Sequence, residues 1–234
     1  MNYKIVNKYK INAFESKDIF LDYIEDKKKI LIAMNAEKII KSDDSLRKIV
    51  NSNIAYPDGF GAVLALKSIG LSAIKIPGSE FWLDIVSRFE RSKRFYLIGS
   101  TREVIHATVK RLKIEFPSIE IVGYRDGFLS DRDKYRLIDD LKKTQPDIVF
   151  VAQGSPRQEF LMQELKEEHK ALYMGLGGSF DIYGGDKRRA PSLFLKLELE
   201  WFYRLLKEPT RFSRQLALIK FLIFIGKNSL LNRK

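Results

Sequence analysis

The sequence predicts an α/β fold, a mostly parallel sheet with helices on both faces, followed by a helical, basic C-terminal appendage. Three observations carry that expectation. Apolar runs of strand length recur along the chain, stretches with helical spacing separate them, and near Arg188 the alternation gives way to a tail of mixed basic and aliphatic residues. The boundaries read from this pattern are an α/β body over 1–195 and an appendage over 196–234.

The elements follow in order. Lys29 to Met34 reads as a buried strand, with a helix through Ile39 and Ile40 after it. Arg94 to Gly99 is a second strand, and Glu103 to Phe116 a helix whose Val104, Ile105, Val109, Leu112 and Phe116 share one face. Ile119 to Gly123 is a third strand, followed by a helix over Asp133 to Lys143. Asp147 to Ala152 is a fourth, followed by a helix over Glu159 to His169, and Ala171 to Gly175 is a fifth. Strands alternating with helices of this length form βαβ units, giving a Rossmann-like sheet that binds ligands beyond the carboxyl ends of its strands. The loops that follow the strands are therefore where chemistry is expected. No internal repeat or low-complexity linker interrupts the pattern.

Composition narrows the class. The 234 residues contain 45% hydrophobic and 31% charged residues, a globular balance. There is no cysteine, which excludes disulfides and thiolate metal sites and fits a reducing cytoplasm. The N-terminus carries charges throughout and offers no apolar signal core. No run approaches the roughly 20 apolar residues of a spanning helix. The net charge is +12, and the 34 residues from Trp201 onward hold eight basic residues against one acid, Glu208. Basic residues interleaved with Leu, Ile and Phe suit an anionic membrane surface better than nucleic acid. Leu216 to Ile225 is expected to rest in that interface, and the body to fold without the tail.

Several post-strand loops could carry chemistry. Gly175 to Asp181 contains Gly177 and Gly178, whose N–H groups could approach a diphosphate, with Ser179 as a hydroxyl donor; a tight strand-to-helix turn explains the same residues. It matches neither a dinucleotide fingerprint nor a P-loop, which counts against a nicotinamide-dependent oxidoreductase. In Gln153 to Glu159, Ser155 before Pro156 could cap a helix whose first turn would turn Arg157 and Gln158 toward a ligand. Tyr56-Pro57-Asp58-Gly59 reads as a turn, but an Asp held there could be a general base for a sugar hydroxyl. Asn35 could cap a helix or bind a sugar. His106 and His169 fall in predicted helices away from the glycine loops, and no cluster has metal-ligand spacing, so neither a metal nor a cofactor is expected.

Read together, these blocks resemble the TagA/WecG/CpsF glycosyltransferases, glycosyltransferase family 26. The matching segments are Ala33 to Lys38, Tyr56 to Gly59, Ile76 to Glu80, Tyr96 to Gly99, Gly123 to Phe128, Gly154 to Glu159, Gly175 to Asp181, Arg188 to Pro191 and Leu199 to Pro209. The resemblance implies an inverting, metal-independent transfer of N-acetylmannosamine or its uronic acid from a UDP donor to GlcNAc on a polyprenyl diphosphate. Such transfers build surface polysaccharides of the enterobacterial common antigen or teichoic acid type, at the inner face of the cell membrane. By the same resemblance Asp58 is the base and Gln158 contacts a sugar. Asn35, Tyr124, Arg125, Asp126, Ser155, Gly177, Gly178, Ser179 and Asp181 serve the donor. Lys75, Arg204, Arg211 and Arg214 serve the acceptor diphosphate. Many members carry Thr where this chain has Ala33 and Arg where it has Lys75, which removes a hydroxyl contact and a bidentate one. The wording around Ala33 to Lys38 is nearer the WecG branch, tilting the donor toward UDP-N-acetylmannosaminuronic acid. Nucleic acid is not an expected partner, and the tail's apolar face also admits packing on its own body or on a second copy of the chain. The competing class is a non-catalytic basic binder of membrane or nucleic acid, which would show salt-dependent binding without donor turnover.

Overall fold

A computed structural model describes residues 2–41, 43–185, 220, 221 and 223–226. Its centre is a six-stranded parallel sheet. The strands are β3 (Ile30–Met34), β4 (Ile54–Pro57), β5 (Arg94–Gly99), β6 (Glu120–Arg125), β7 (Ile148–Ala152) and β8 (Leu172–Gly175), in the order β4-β3-β8-β7-β5-β6. All five predicted strands are present within a residue or two of their expected bounds. They read as continuous apolar runs because both faces are covered. In β7, Val149 and Val151 enter one core while Ile148 and Phe150 enter the other. The first core is closed by α2 (Ala36–Ile40), α3 (Asp44–Ser52), α4 (Phe60–Ser68), α7 (Asp131–Thr144) and α8 (Arg157–Glu168). The second is closed by α1 (Lys17–Ile24), α5 (Gly78–Phe89), α6 (Arg102–Glu115) and α9 (Ser179–Tyr183).

Two elements depart from the sequence reading. Tyr56-Pro57, read as part of a turn, closes β4, and the turn proper is Asp58-Gly59 ahead of α4. Proline is tolerated there because β4 is an edge strand of the sheet, with Pro57 opposite Met34 at its last position. The charged N-terminus folds as an antiparallel hairpin, β1 (Tyr3–Val6) and β2 (Tyr9–Asn12). Its two-residue turn places Asn7 and Lys8 at φ 47° and 68°, the twist that tight hairpins require. Tyr9 and Ile11 anchor the hairpin in the core, and the buried Asn12 amide donates to the Ala55 carbonyl at 3.0 Å, covering the sheet edge.

The tail expectation also changes. Phe221 and Ile225 are buried in the first core, and Gly61 of α4 leaves the space that Phe221 fills, since a Cβ there would stand 3.2 Å from the ring. Those two side chains therefore serve the body rather than a membrane interface, while Ile223 is 55% exposed. Arg204, Arg211 and Arg214 lie outside the described residues. Among the described residues no helix is long and apolar enough to cross a membrane.

A body cut at about residue 201 loses the Phe221 and Ile225 contacts. Phe221→Ala should cost about 3–5 kcal/mol in urea unfolding, the usual loss for a fully buried Phe. A cost under about 1 kcal/mol would show that the segment does not belong to the core.

Candidate active site

Strand order fixes where a ligand can enter. The helix after β7 leads to β8 on one side, whereas the helix after β5 leads to β6 on the other, so a crevice opens between the carboxyl ends of β5 and β7. Here lies a cleft of about 1050 Å³, lined by Ser100, Gly127, Gln153, Gly154, Arg157, Gly177, Gly178 and Asp181 among others. Its walls are stitched together by backbone and side-chain bonds. Ser100 N–H donates to the Ala152 carbonyl at 3.1 Å, Gly127 N–H to the Ser100 carbonyl at 2.9 Å, and the Gln153 amide to the Gly127 carbonyl at 2.6 Å. Gly99 permits this closeness, because a Cβ there would stand 2.4 Å from the Ala152 oxygen.

The two glycine loops also line the cleft. Gly154 and Gly177 have φ of +79° and +59°, with open space where a side chain would project. The Ser100 hydroxyl donates to Asp181, joining the loop after β5 to α9. The amino end of α8 also opens on the cleft without a side-chain cap, a favourable setting for an anion. Arg157, exposed at the first position of α8, lines the cleft, but its neighbour Gln158 is turned inward about 100° around the helix. The Gln158 carbonyl oxygen accepts from Gly177 N–H at 2.9 Å and from Gly154 N–H at 3.2 Å, and only 5% of the residue is exposed.

Asp58 stands on the same edge, at the end of β4. Its backbone N–H donates to the Met34 carbonyl at 3.0 Å, and its Oδ1 accepts from Gly78 N–H at 2.6 Å. The carboxylate thus caps the twelve-residue helix α5, whose preceding Pro77 supplies no side-chain cap. Tyr56 is fully buried beside it. Burial first, then the charges of Asp58 and Glu159, hold its phenol well above the usual tyrosine range, so it stays neutral. Glu159 is 1% exposed and pairs with Lys38 at 2.7 Å.

The remaining sequence candidates divide. Gly177, Gly178 and Asp181 line the cleft. The Ser179 hydroxyl donates to the Leu176 carbonyl at 2.7 Å and is buried, so it is turned away from the cleft. Ser155 is exposed, and α8 begins at Arg157 with Pro156 at its N-cap position and no side-chain cap, so Ser155 does not cap it. Asn35 accepts from Lys38 N–H at 2.9 Å and caps α2. Arg125 is held by Asp133, donating to its carbonyl at 2.9 Å and lying 3.3 Å from its carboxylate. That carboxylate is kept below its usual range by the Ser130 hydroxyl, Ser130 N–H and Arg125. The Asp126 side chain accepts from Phe128 N–H within its own turn, and Tyr124 meets the exposed His106 edge-on at 5.4 Å. Lys75 lies on the segment leading to Gly78 and is half-buried. His169 is buried against the Pro146 carbonyl, so neither histidine reaches the cleft. Among the described residues no cluster of three or more acidic or histidine side chains could hold a metal. Ser100 was not among the candidates and Gln153 opened a candidate loop without an assigned role, although each directly follows a strand read correctly from the sequence.

Comparison with known proteins agrees with this geometry. The model of the glycosyl transferase WecG/TagA/CpsF family matches residues 5–234. The chain is 35% identical over 221 residues to a Bacillus subtilis (strain 168) protein, covering 89% of this chain and 85% of the relative. It is 37% identical over 181 residues to one from Bacillus spizizenii, covering 76% and 70%. Both relatives are named N-acetylglucosaminyldiphosphoundecaprenol N-acetyl-beta-D-mannosaminyltransferase.

If the Asp58 carboxylate caps α5, Asp58→Ala should lower stability by about 0.5–2 kcal/mol. Asp58→Asn, which keeps an acceptor for Gly78 N–H, should cost only a few tenths. Equal losses in denaturant titrations of the two variants would contradict the capping role.

Proposed function

The chain belongs to the WecG/TagA/CpsF glycosyltransferase family, and from that premise we propose that it transfers N-acetylmannosamine from a UDP donor to N-acetylglucosamine on a polyprenyl diphosphate. The observation that carries this reading is the position of Asp58, fixed by Gly78 N–H on the sheet edge that also bears the glycine-lined cleft. In this reading the nucleotide occupies the crevice between β5 and β7. Its diphosphate lies against the glycine loops and the uncapped start of α8, with Arg157 as counter-charge.

The sugar then extends along the edge toward Asp58. The acceptor hydroxyl attacks the anomeric carbon from the side opposite the diphosphate. Asp58 takes the hydroxyl proton as the new C–O bond forms, and the bond to the diphosphate breaks with its electron pair leaving on UDP. Inversion follows from the single displacement. Charge developing on the diphosphate is carried by N–H donors and guanidinium groups, including Arg204, Arg211 and Arg214 of the tail, so the step calls for no metal. Lys75, on the segment leading to Gly78, serves the acceptor phosphates in the same reading. The lipid carried by such an acceptor sets the reaction at a membrane face, with the basic tail as the docking element.

The test is turnover on synthetic polyprenyl-diphosphate GlcNAc, with UDP-N-acetylmannosamine and its uronic acid as parallel donors, in the presence of EDTA. The expected result is transfer from UDP-N-acetylmannosamine, undiminished by the chelator. Preference for the uronic acid would move the donor assignment, loss in EDTA would overturn metal independence, and failure with both donors would overturn the reading.

A further inference from the structure

A continuous line of buried polar contacts joins the two halves of the site. It starts at the cleft, where Gly154 and Gly177 donate to the Gln158 carbonyl oxygen. The Gln158 amide approaches Glu159 Oε1 at 3.5 Å, and the same oxygen receives the Lys38 ammonium at 2.7 Å. Lys38 also donates to the Ala33 carbonyl at 2.9 Å, and the next residue of β3, Met34, holds the Asp58 N–H. The line therefore runs from two loops of the cleft, through the first turn of α8, to the end of β3, whose Met34 carbonyl accepts from Asp58 N–H.

Such a line is a poor way to gain stability. Withdrawing a carboxylate and an ammonium from water costs about as much as their attraction returns, and apolar side chains of the same volume pack as well. The side chains are nevertheless buried, Glu159 at 1% and Lys38 at 12% exposure. What directional bonds supply, and apolar packing does not, is register between neighbouring elements. Two further observations place the line under the base. Glu159 Oε2 and the Tyr56 hydroxyl are buried with no hydrogen-bond partner among the described residues. The Tyr56 phenol feels both Asp58 and Glu159, and its oxygen lies 2.9 Å from where a Cβ on Gly78 would stand. The glycine at 175 belongs to the same arrangement, since a Cβ there would stand 2.3 Å from the Gln158 amide nitrogen.

We infer that Lys38, Glu159 and Gln158 form a buried polar strut that sets the distance between the cleft's glycine loops and Asp58. They act as positioning residues and touch no substrate. The inference rests on the assignment of the cleft to the donor and of Asp58 to proton removal, and it gives Gln158 an indirect role in place of a sugar contact.

The test removes the strut without stranding a charge. Lys38→Met alone would leave Glu159 unpaired and endanger folding, whereas Lys38→Met with Glu159→Leu deletes both charges at similar volume. Amide exchange and transfer are then measured on the full chain, with near-ultraviolet dichroism confirming the fold. The strut predicts at least tenfold faster exchange of the Gly154 and Gly177 N–H groups, which residue 38 does not touch. It also predicts a kcat at least tenfold lower, with most of that loss recovered when Lys38 is restored opposite Glu159→Gln, which still offers it an acceptor. A folded double variant with unchanged exchange at both glycines, or with unchanged kcat, overturns the inference. Failure of the base assignment reads differently: Asp58→Asn would keep its transfer rate while the double variant still exchanged faster at Gly154 and Gly177.

Discussion

A parallel sheet delivers the carboxyl end of every strand to one edge, and the placement of this site depends on that constraint. Six strands run the same way, so the loops after β3, β4, β5, β7 and β8 all open on a single rim. Helices leave that rim with their amino ends toward it, concentrating unsatisfied N–H groups where a diphosphate can use them. The reversal of connection between β5 and β7 decides where along the rim the chain parts widely enough to open the cleft. Everything else adjusts geometry within that frame.

Asp58 illustrates the adjustment. An aspartate on a free turn would sample many rotamers, which weakens a proton acceptor that must meet one hydroxyl. Here the edge strand β4 ends at Pro57, the backbone of Asp58 is bonded to Met34, and one carboxylate oxygen is engaged by the start of α5. Gly78 is required for this closeness, because any side chain would collide with Tyr56. Beneath the rim, Lys38 and Glu159 link the strand end to the glycine loops through contacts whose length is set by bond geometry rather than by packing.

The sheet was legible because its strands are buried on both faces, and a continuous apolar run such as Ile148 to Val151 has few other readings. The loops after them were legible as places, and Gly177, Gly178 and Asp181 do line the cleft. What could not be read was the direction of side chains within those places. Arg157 and Gln158 are adjacent, yet one faces the cleft and the other the core, a difference set by the exact start of α8. Ser179 and Arg125 carry the right chemistry, but the Leu176 carbonyl and Asp133 engage them. The β4 strand was hidden by Pro57, a residue that argues for a turn unless the strand is known to lie at an edge. Phe221 and Ile225 looked interfacial because sequence shows a helix's apolar stripe without showing what covers it.

The central claim is that Asp58 removes the acceptor proton from a position fixed by α5. The most direct measurement is kcat for Asp58→Asn, taken beside its unfolding midpoint and its affinity for UDP. The account predicts a fall of at least about 100-fold in kcat, within the usual range for a lost general base, with midpoint and affinity nearly unchanged. A kcat within about threefold of the parent enzyme would contradict it.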